Sequence, residues 1–166
     1  KRLDASLIGG GGKINQVVST ANDTESQQST STFTAISGQT VSITPSATSS
    51  KVLIQCYISA GLNQNSYSFF QLFRGTTLIN SNADDGSRIG CTIAYGTNSG
   101  SAASDQQNPL YFQFLDTPNT TSATTYSVKA ATYSNSTLTF NRTPNGANDS
   151  YTSLATSGIL AMEILA

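Results

Sequence analysis

A chain of 166 residues with 37% hydrophobic content is the size of one domain and long enough to bury a core. Charged residues make up only 10% while Ser and Thr together number 48, against about 25% charge in an ordinary soluble domain, so disorder driven by charge is excluded. The net charge is -1 and the eight basic residues (Lys1, Arg2, Lys13, Lys51, Arg74, Arg88, Lys129, Arg142) are scattered; no basic stripe follows a phosphate backbone, and no nucleic-acid partner is expected.

The first residue is Lys rather than Met, as expected of an excised or processed part of something longer. Residues 1–8 carry a small aliphatic knot, Leu3, Leu7 and Ile8, ahead of four consecutive glycines, Gly9, Gly10, Gly11 and Gly12. We read 1–8 as an attachment segment, 9–12 as a flexible hinge and 13–166 as the folded domain, with a frayed terminus as the alternative for the first two.

From residue 14 onward, short runs rich in Val, Ile, Thr, Tyr and Phe recur between Gly, Pro, Asn and Ser, the pattern of an all-β sandwich or barrel. Strands are predicted near 14–20, 33–36 with 41–44, 51–60, 66–74 with 78–80, 88–95, 109–116, 125–133, 137–142 and 158–165. Eight or nine strands suit an antiparallel jelly-roll-like β-sandwich.

Within this series, Val41 and Ile43 are expected on one face and Ser42 and Thr44 on the other, the alternation of a half-buried strand. Pro45 ends that ladder because it has no donor. Ser46 to Ser50 then form a surface turn whose hydroxyls bond nearby backbone, and Val52, Ile54, Cys56 and Ile58 share one face of the returning strand. Cys56 and Cys91 lie in apolar strand patterns; free thiols are expected, a disulfide being the alternative.

Two strands are apolar on both faces. In "YSFFQLFRG", Phe69 and Phe73 oppose Phe70 and Leu72; in "GILAMEILA", Leu160, Met162 and Ile164 oppose Ile159, Ala161 and Leu165. A two-layer domain covers one face of each sheet, so the second apolar face asks for another layer, which copies of the same chain can supply. Ile159, Leu160, Met162, Glu163, Ile164 and Leu165 are therefore the candidate interface between copies of the chain, with a strand buried wholly inside one chain as the alternative. Glu163, the only charge in that strand, is expected at the seam opposite an arginine such as Arg142 or Arg88.

Catalytic chemistry has little to stand on. The chain has no His and no Trp, which removes the commonest general base and metal ligand. Asp84, Asp85, Asp105, Asp116 and Asp149 are candidates for paired-carboxylate work, but most sit in loops where solvated turn residues are the default. "NADDGS" lacks the alternating ligands and closing Glu of a calcium loop, and "GGGG" lacks the ending of a phosphate loop. No enzyme activity, cofactor or metal is expected. No apolar run approaches the roughly 18 residues that cross a bilayer, and no charged start followed by a hydrophobic stretch suggests a secretory signal.

Five Asn-x-Ser/Thr triplets (Asn22, Asn119, Asn135, Asn141, Asn148) follow from composition. Tyr57, Tyr67, Tyr95, Tyr111, Tyr126, Tyr133 and Tyr151, with polar loops 61–66, 81–87 and 96–108, are candidates for a surface that stacks on sugar rings and bonds their hydroxyls.

The ordered series "GKINQVVST", "FTAISGQTVSITPSATSSKVLIQCYISAG", "FQLFRGTTLI", "FLDTPNTTSATTYSVKAAT", "NRT" and "AMEI" resembles a β-rich domain of virion proteins of tailed bacteriophages, particularly marine and cyanobacterial ones, over about residues 12–166. The resemblance implies a trimeric jelly-roll domain exposed on a phage particle: a tail-fibre knob, a head fibre or a decoration protein. Its motifs are structural corners and carry no catalytic or ligand residue. The expected partners are the chain itself, other capsid or tail proteins and a host-surface glycan, with no membrane insertion, on a particle assembled in the host cytoplasm. The alternative is a carbohydrate-binding module of a secreted bacterial protein.

Overall fold

The computed structural model describes residues 12–63, 66–97 and 105–165. Among these residues eleven strands run in chain order: β1 (Ile14–Asn22), β2 (Ser26–Gln28), β3 (Thr34–Ile43), β4 (Lys51–Leu62), β5 (Ser66–Arg74), β6 (Thr77–Ile79), β7 (Ile93–Thr97), β8 (Asn108–Asp116), β9 (Thr124–Thr132), β10 (Leu138–Phe140) and β11 (Ser157–Ile164). All named pairs are antiparallel. One sheet runs β1-β11-β4-β8, with β10 and β2 continuing beside the far end of β4; the other runs β3-β9-β5, with β7 and β6 in succession along the free edge of β5. Leaving aside the short β2, β6 and β10, first pairs with last, second with seventh, third with sixth and fourth with fifth. That is a long hairpin wrapped on itself, the eight-stranded jelly roll.

The alternation expected in β3 and β4 is observed. Val41, Ile43, Val52, Ile54, Cys56 and Ile58 are buried in one core cluster with Phe70, Leu72, Tyr126, Val128, Ile159 and Ala161 from the facing strands. What the sequence suggests as two strands at 33–36 and 41–44 is one strand with a bulge, since the β3–β9 register shifts between Ala35 and Thr40. Gly38 sits inside that bulge at φ +74, a region open to glycine without strain. A Cβ there would stand 2.5 Å from Asn22 Cγ, so the glycine also lets β3 lie close to β1, where Asn22 Nδ2 donates to the Ser37 carbonyl at 2.9 Å.

Two expectations are corrected. β7 begins at Ile93 rather than at 88, because 80–92 folds back as a loop: the Gly90 N–H donates to the Asp84 carboxylate at 2.7 Å and its carbonyl accepts from Gln71 Nε2 at 2.8 Å. β2 was not expected because Ser26, Gln27 and Gln28 carry no apolar signal; it forms by backbone pairing to β10 at the sheet edge. Cys56 is buried and Cys91 half-buried, both free. Burial pushes the Cys56 thiol up, out of the range where thiolate chemistry operates.

Candidate functional site

In an antiparallel ladder, residues directly opposite each other point to the same face of the sheet. Across β1, β11, β4 and β8 the register therefore defines rows, and successive rows alternate between core and outside. Thr20, Ile159, Cys56 and Phe112 form one inward row, Val18, Ala161, Ile54 and Phe114 a second, and Gln16, Glu163, Val52 and Asp116 a third. The outward rows between them are Ala21, Gly158, Tyr57 and Tyr111; then Ser19, Leu160, Gln55 and Gln113; then Val17, Met162, Leu53 and Leu115. A last one brings Ile14 beside Ile164 and Lys51.

This outer face is where the apolar second side of β11 lies. Val17 is 54% exposed and Leu115 45%, with Met162 and Leu53 half-buried between them. One unbroken aliphatic and thioether row thus crosses four strands in contact with water, with Ile14, Ile164 and Leu160 beside it. A contiguous exposed apolar patch of this kind marks an interaction surface.

Of the residues singled out from the sequence, Leu160, Met162 and Ile164 fall on this face, and Leu165 lies half-buried just beyond β11. Ile159 and Glu163 do not. Both point inward and are 1% and 0% exposed, because the register sets Ile159 in one row with Thr20 and Cys56 and Glu163 in one with Gln16 and Val52. Leu3, Leu7, Ile8, Gly9, Gly10 and Gly11 lie outside the described residues; Gly12 is exposed.

The expectation for Glu163 needs the fuller correction. Among the described residues no arginine faces it: Arg88 pairs with Asp85, and Arg142 stands 3.8 Å from Glu25 and donates to Gln27. Instead its Oε1 accepts from the Ser46 N–H (2.6 Å), the Ser46 hydroxyl (2.7 Å) and the Ser50 hydroxyl (2.7 Å), and its Oε2 from Asn15 (2.8 Å) and Gln16 (2.7 Å). Burial opposes the charged form, but the bonds from Asn15, Ser46, Gln16 and Ser50 outweigh it and hold the carboxyl well below the usual carboxylate range. The serine-rich corner between β3 and β4 thus ties down a carboxylate from the last strand, a link that sequence spacing did not reveal.

Asp116, in the same row across Val52, is satisfied differently. Arg74 Nη1 lies 2.9 Å from both its oxygens and the Tyr126 hydroxyl donates to it at 2.7 Å. Burial and the bond to Asp116 push the Tyr126 phenol up. Of the other aspartates singled out, Asp149 accepts from the Tyr151 hydroxyl at 2.9 Å, Asp105 is bonded by Asn145, Asp84 accepts from the Gly90 N–H and Asp85 pairs with Arg88. Among the described residues no group of three or more His, Cys, Asp or Glu could hold a metal, and no helix is long and apolar enough to cross a membrane.

Two of the five Asn-x-Ser/Thr asparagines are structural. Asn22 is bonded to Ser37, and buried Asn141 donates to the carbonyls of Asn22 (3.1 Å) and Thr24 (2.9 Å). The tyrosines do not form one platform: Tyr126 is core, Tyr95 is half-buried with its hydroxyl accepting from Asn108 at 2.7 Å, and Tyr67 meets Tyr133 edge-on. Tyr57 and Tyr111 alone stand side by side on the outer sheet face.

No family model matches the chain, and no curated protein matches it. Among solved structures, a chain in a structure of infectious bursal disease virus, Gx strain, is 14% identical with a TM-score of 0.41 over 91% of this chain. The present chain spans 37% of that chain's length. At this identity and score the likeness carries no functional argument. The fold defines the class as an all-β jelly-roll sandwich with one sheet carrying an exposed apolar outer face.

Proposed function

We propose that the chain is a structural protein of a bacteriophage particle, a surface-exposed fibre, knob or capsid-decoration domain, that assembles as a homotrimer through the outer face of the β1-β11-β4-β8 sheet. The observation that carries the assembly is the row Val17, Met162, Leu53 and Leu115, flanked by Ile14, Leu160 and Ile164. Burial of such a face stabilises association by roughly 25 cal/mol per Å² of apolar surface, less the cost of immobilising the partners. Three copies arranged about an axis beside this face cover the row with its own equivalents, a closed assembly that leaves no sticky surface. The particle setting and the number three come from the resemblance of the strand and corner motifs to tailed-phage virion proteins. An outer surface rich in hydroxyls and poor in charge suits a domain that stays soluble without broad electrostatic attraction.

The test is the mass of the 166-residue chain in solution by light scattering. A mass three times that of the chain, reduced to a folded monomer by changing Leu160, Met162 and Ile164 to Ser, is the expected result. A wild-type monomer at micromolar concentration overturns the assembly.

A further inference from the structure

Beyond the aliphatic row, the same outer face changes character. Toward Ala21 it opens into a cleft of about 640 Å³, within the roughly 300–1,000 Å³ of small-ligand sites. Tyr57 and Tyr111 form one wall, their ring centroids 6.4 Å apart and their planes 29° from parallel. Tyr57 lies over Gly158: a Cβ at that glycine would stand 2.7 Å from the ring, so the absence of a side chain there is what lets the ring rest across β11. Beside the rings Gln55 and Gln113 face each other, Gln55 Nε2 3.5 Å from Gln113 Oε1, and Ser19 and Leu160 complete the lining. No lining residue is charged. Neither tyrosine hydroxyl has a hydrogen-bond partner among the described residues.

We infer that this cleft binds a neutral saccharide, with one sugar ring stacked on the Tyr57–Tyr111 pair and its hydroxyls met by Gln55, Gln113 and Ser19. A sugar ring presents an apolar C–H face and a rim of groups that both donate and accept. The tyrosine pair supplies an exposed apolar plane, and amides and hydroxyls supply both donors and acceptors. An acidic glycan finds no cation in this lining to offset its desolvation. The inference rests on the particle-surface reading for its setting, but the cleft is complete within one chain. Assembly through Val17, Leu53, Leu115, Met162 and Ile164, with Leu160 shared between seam and cleft, leaves the rings at the margin of the seam.

The experiment is a printed array of neutral and acidic glycans probed with the full chain, followed by titration with the best-bound neutral oligosaccharide. Binding confined to neutral glycans is expected, weakened at least ten-fold in Tyr57→Ala and Tyr111→Ala and unchanged in Tyr67→Ala and Tyr133→Ala. Gly158→Ala displaces the Tyr57 ring, the far end of a movable side chain, and is expected to weaken binding as much while thermal unfolding stays near wild type. Absence of neutral-glycan binding, preference for acidic glycans, or full binding in the Tyr57 and Tyr111 variants overturns the inference. Light scattering on the same samples separates the two readings: a trimer that binds no glycan sinks only the cleft, and a monomer that binds one sinks only the assembly.

Discussion

The two outer faces of this sandwich are built by the same pleat and face the same solvent, yet they are written in different residues. On the β3-β9-β5 sheet the outward rows hold Thr40 and Ser127 with Phe73, Ser42 with Thr125, and Ala35 with Lys129 and Gln71. Hydroxyls bond across the strands there, Ser42 to Thr125 at 2.7 Å. Of the aromatics on that face, Phe73 is covered from within, Lys129 Nζ standing 4.1 Å over its ring, and Phe69, opposite Ala131 and Ala94, is half-buried. On the β1-β11-β4-β8 sheet the corresponding positions are Val17, Met162, Leu53 and Leu115. The first face meets water largely with hydroxyls, Tyr67 and Leu78 standing exposed toward its β5-β6-β7 edge. The other is left apolar, which an isolated surface has no reason to be.

The contrast is broken most completely at the level of assembly. Leu53→Asp with Met162→Ser is expected to reduce the solution mass three-fold with the fold intact, whereas Ser42→Asp with Ser127→Asp leaves the mass unchanged; light scattering and circular dichroism check both. Next comes the difference between the two sides of β11. Ile159→Ser, inside the core, is expected to cost about 3–5 kcal/mol in denaturant unfolding through lost burial, a cavity and a buried hydroxyl, while Leu160→Ser costs the monomer less than about 1 kcal/mol.

Glu163 sharpens the same division, because it is an inward residue of that strand held by neutral donors. Glu163→Gln turns two or more charge-assisted bonds into mismatched donors and is expected to cost about 2–4 kcal/mol. Its pH dependence follows from the sign of its shift. A carboxyl whose folded pKa lies below the unfolded value of about 4.3 contributes stability that is complete above that value and is lost as pH falls below it. The wild-type melting temperature should therefore fall more steeply between pH 6 and 3 than that of Glu163→Gln, measured by calorimetry in parallel. The smallest effect belongs to the self-covered face: Lys129→Ala is expected to cost about 0.5–1 kcal/mol through the lost contact with Phe73.

Much of this was legible in the residues. Alternation in 41–58 places Val41, Ile43, Val52, Ile54, Cys56 and Ile58 on the faces that the core occupies, and the two-sided apolar character of β11 is legible without saying which of its sides turns outward. Glu163 was misread because its donors lie on β1 and in the Ser46–Ser50 corner, 113 or more residues away in the chain. Without a register the sequence groups all seven tyrosines with the polar loops as one surface; only the pairing of Tyr57 with Tyr111, and of Gly158 with Tyr57, brings two rings onto a bare stretch of sheet.

By itself the sequence determined the all-β class, the positions of most strands and which side of each could be buried, since these depend on local period and on turn residues that act over a few positions. Tertiary structure alone decided which side of β11 became core, what neutralised Glu163, and that an aliphatic row and a tyrosine cleft share one sheet. Those outcomes depend on strand order and register, set by pairing between residues far apart in the chain, which no local pattern encodes.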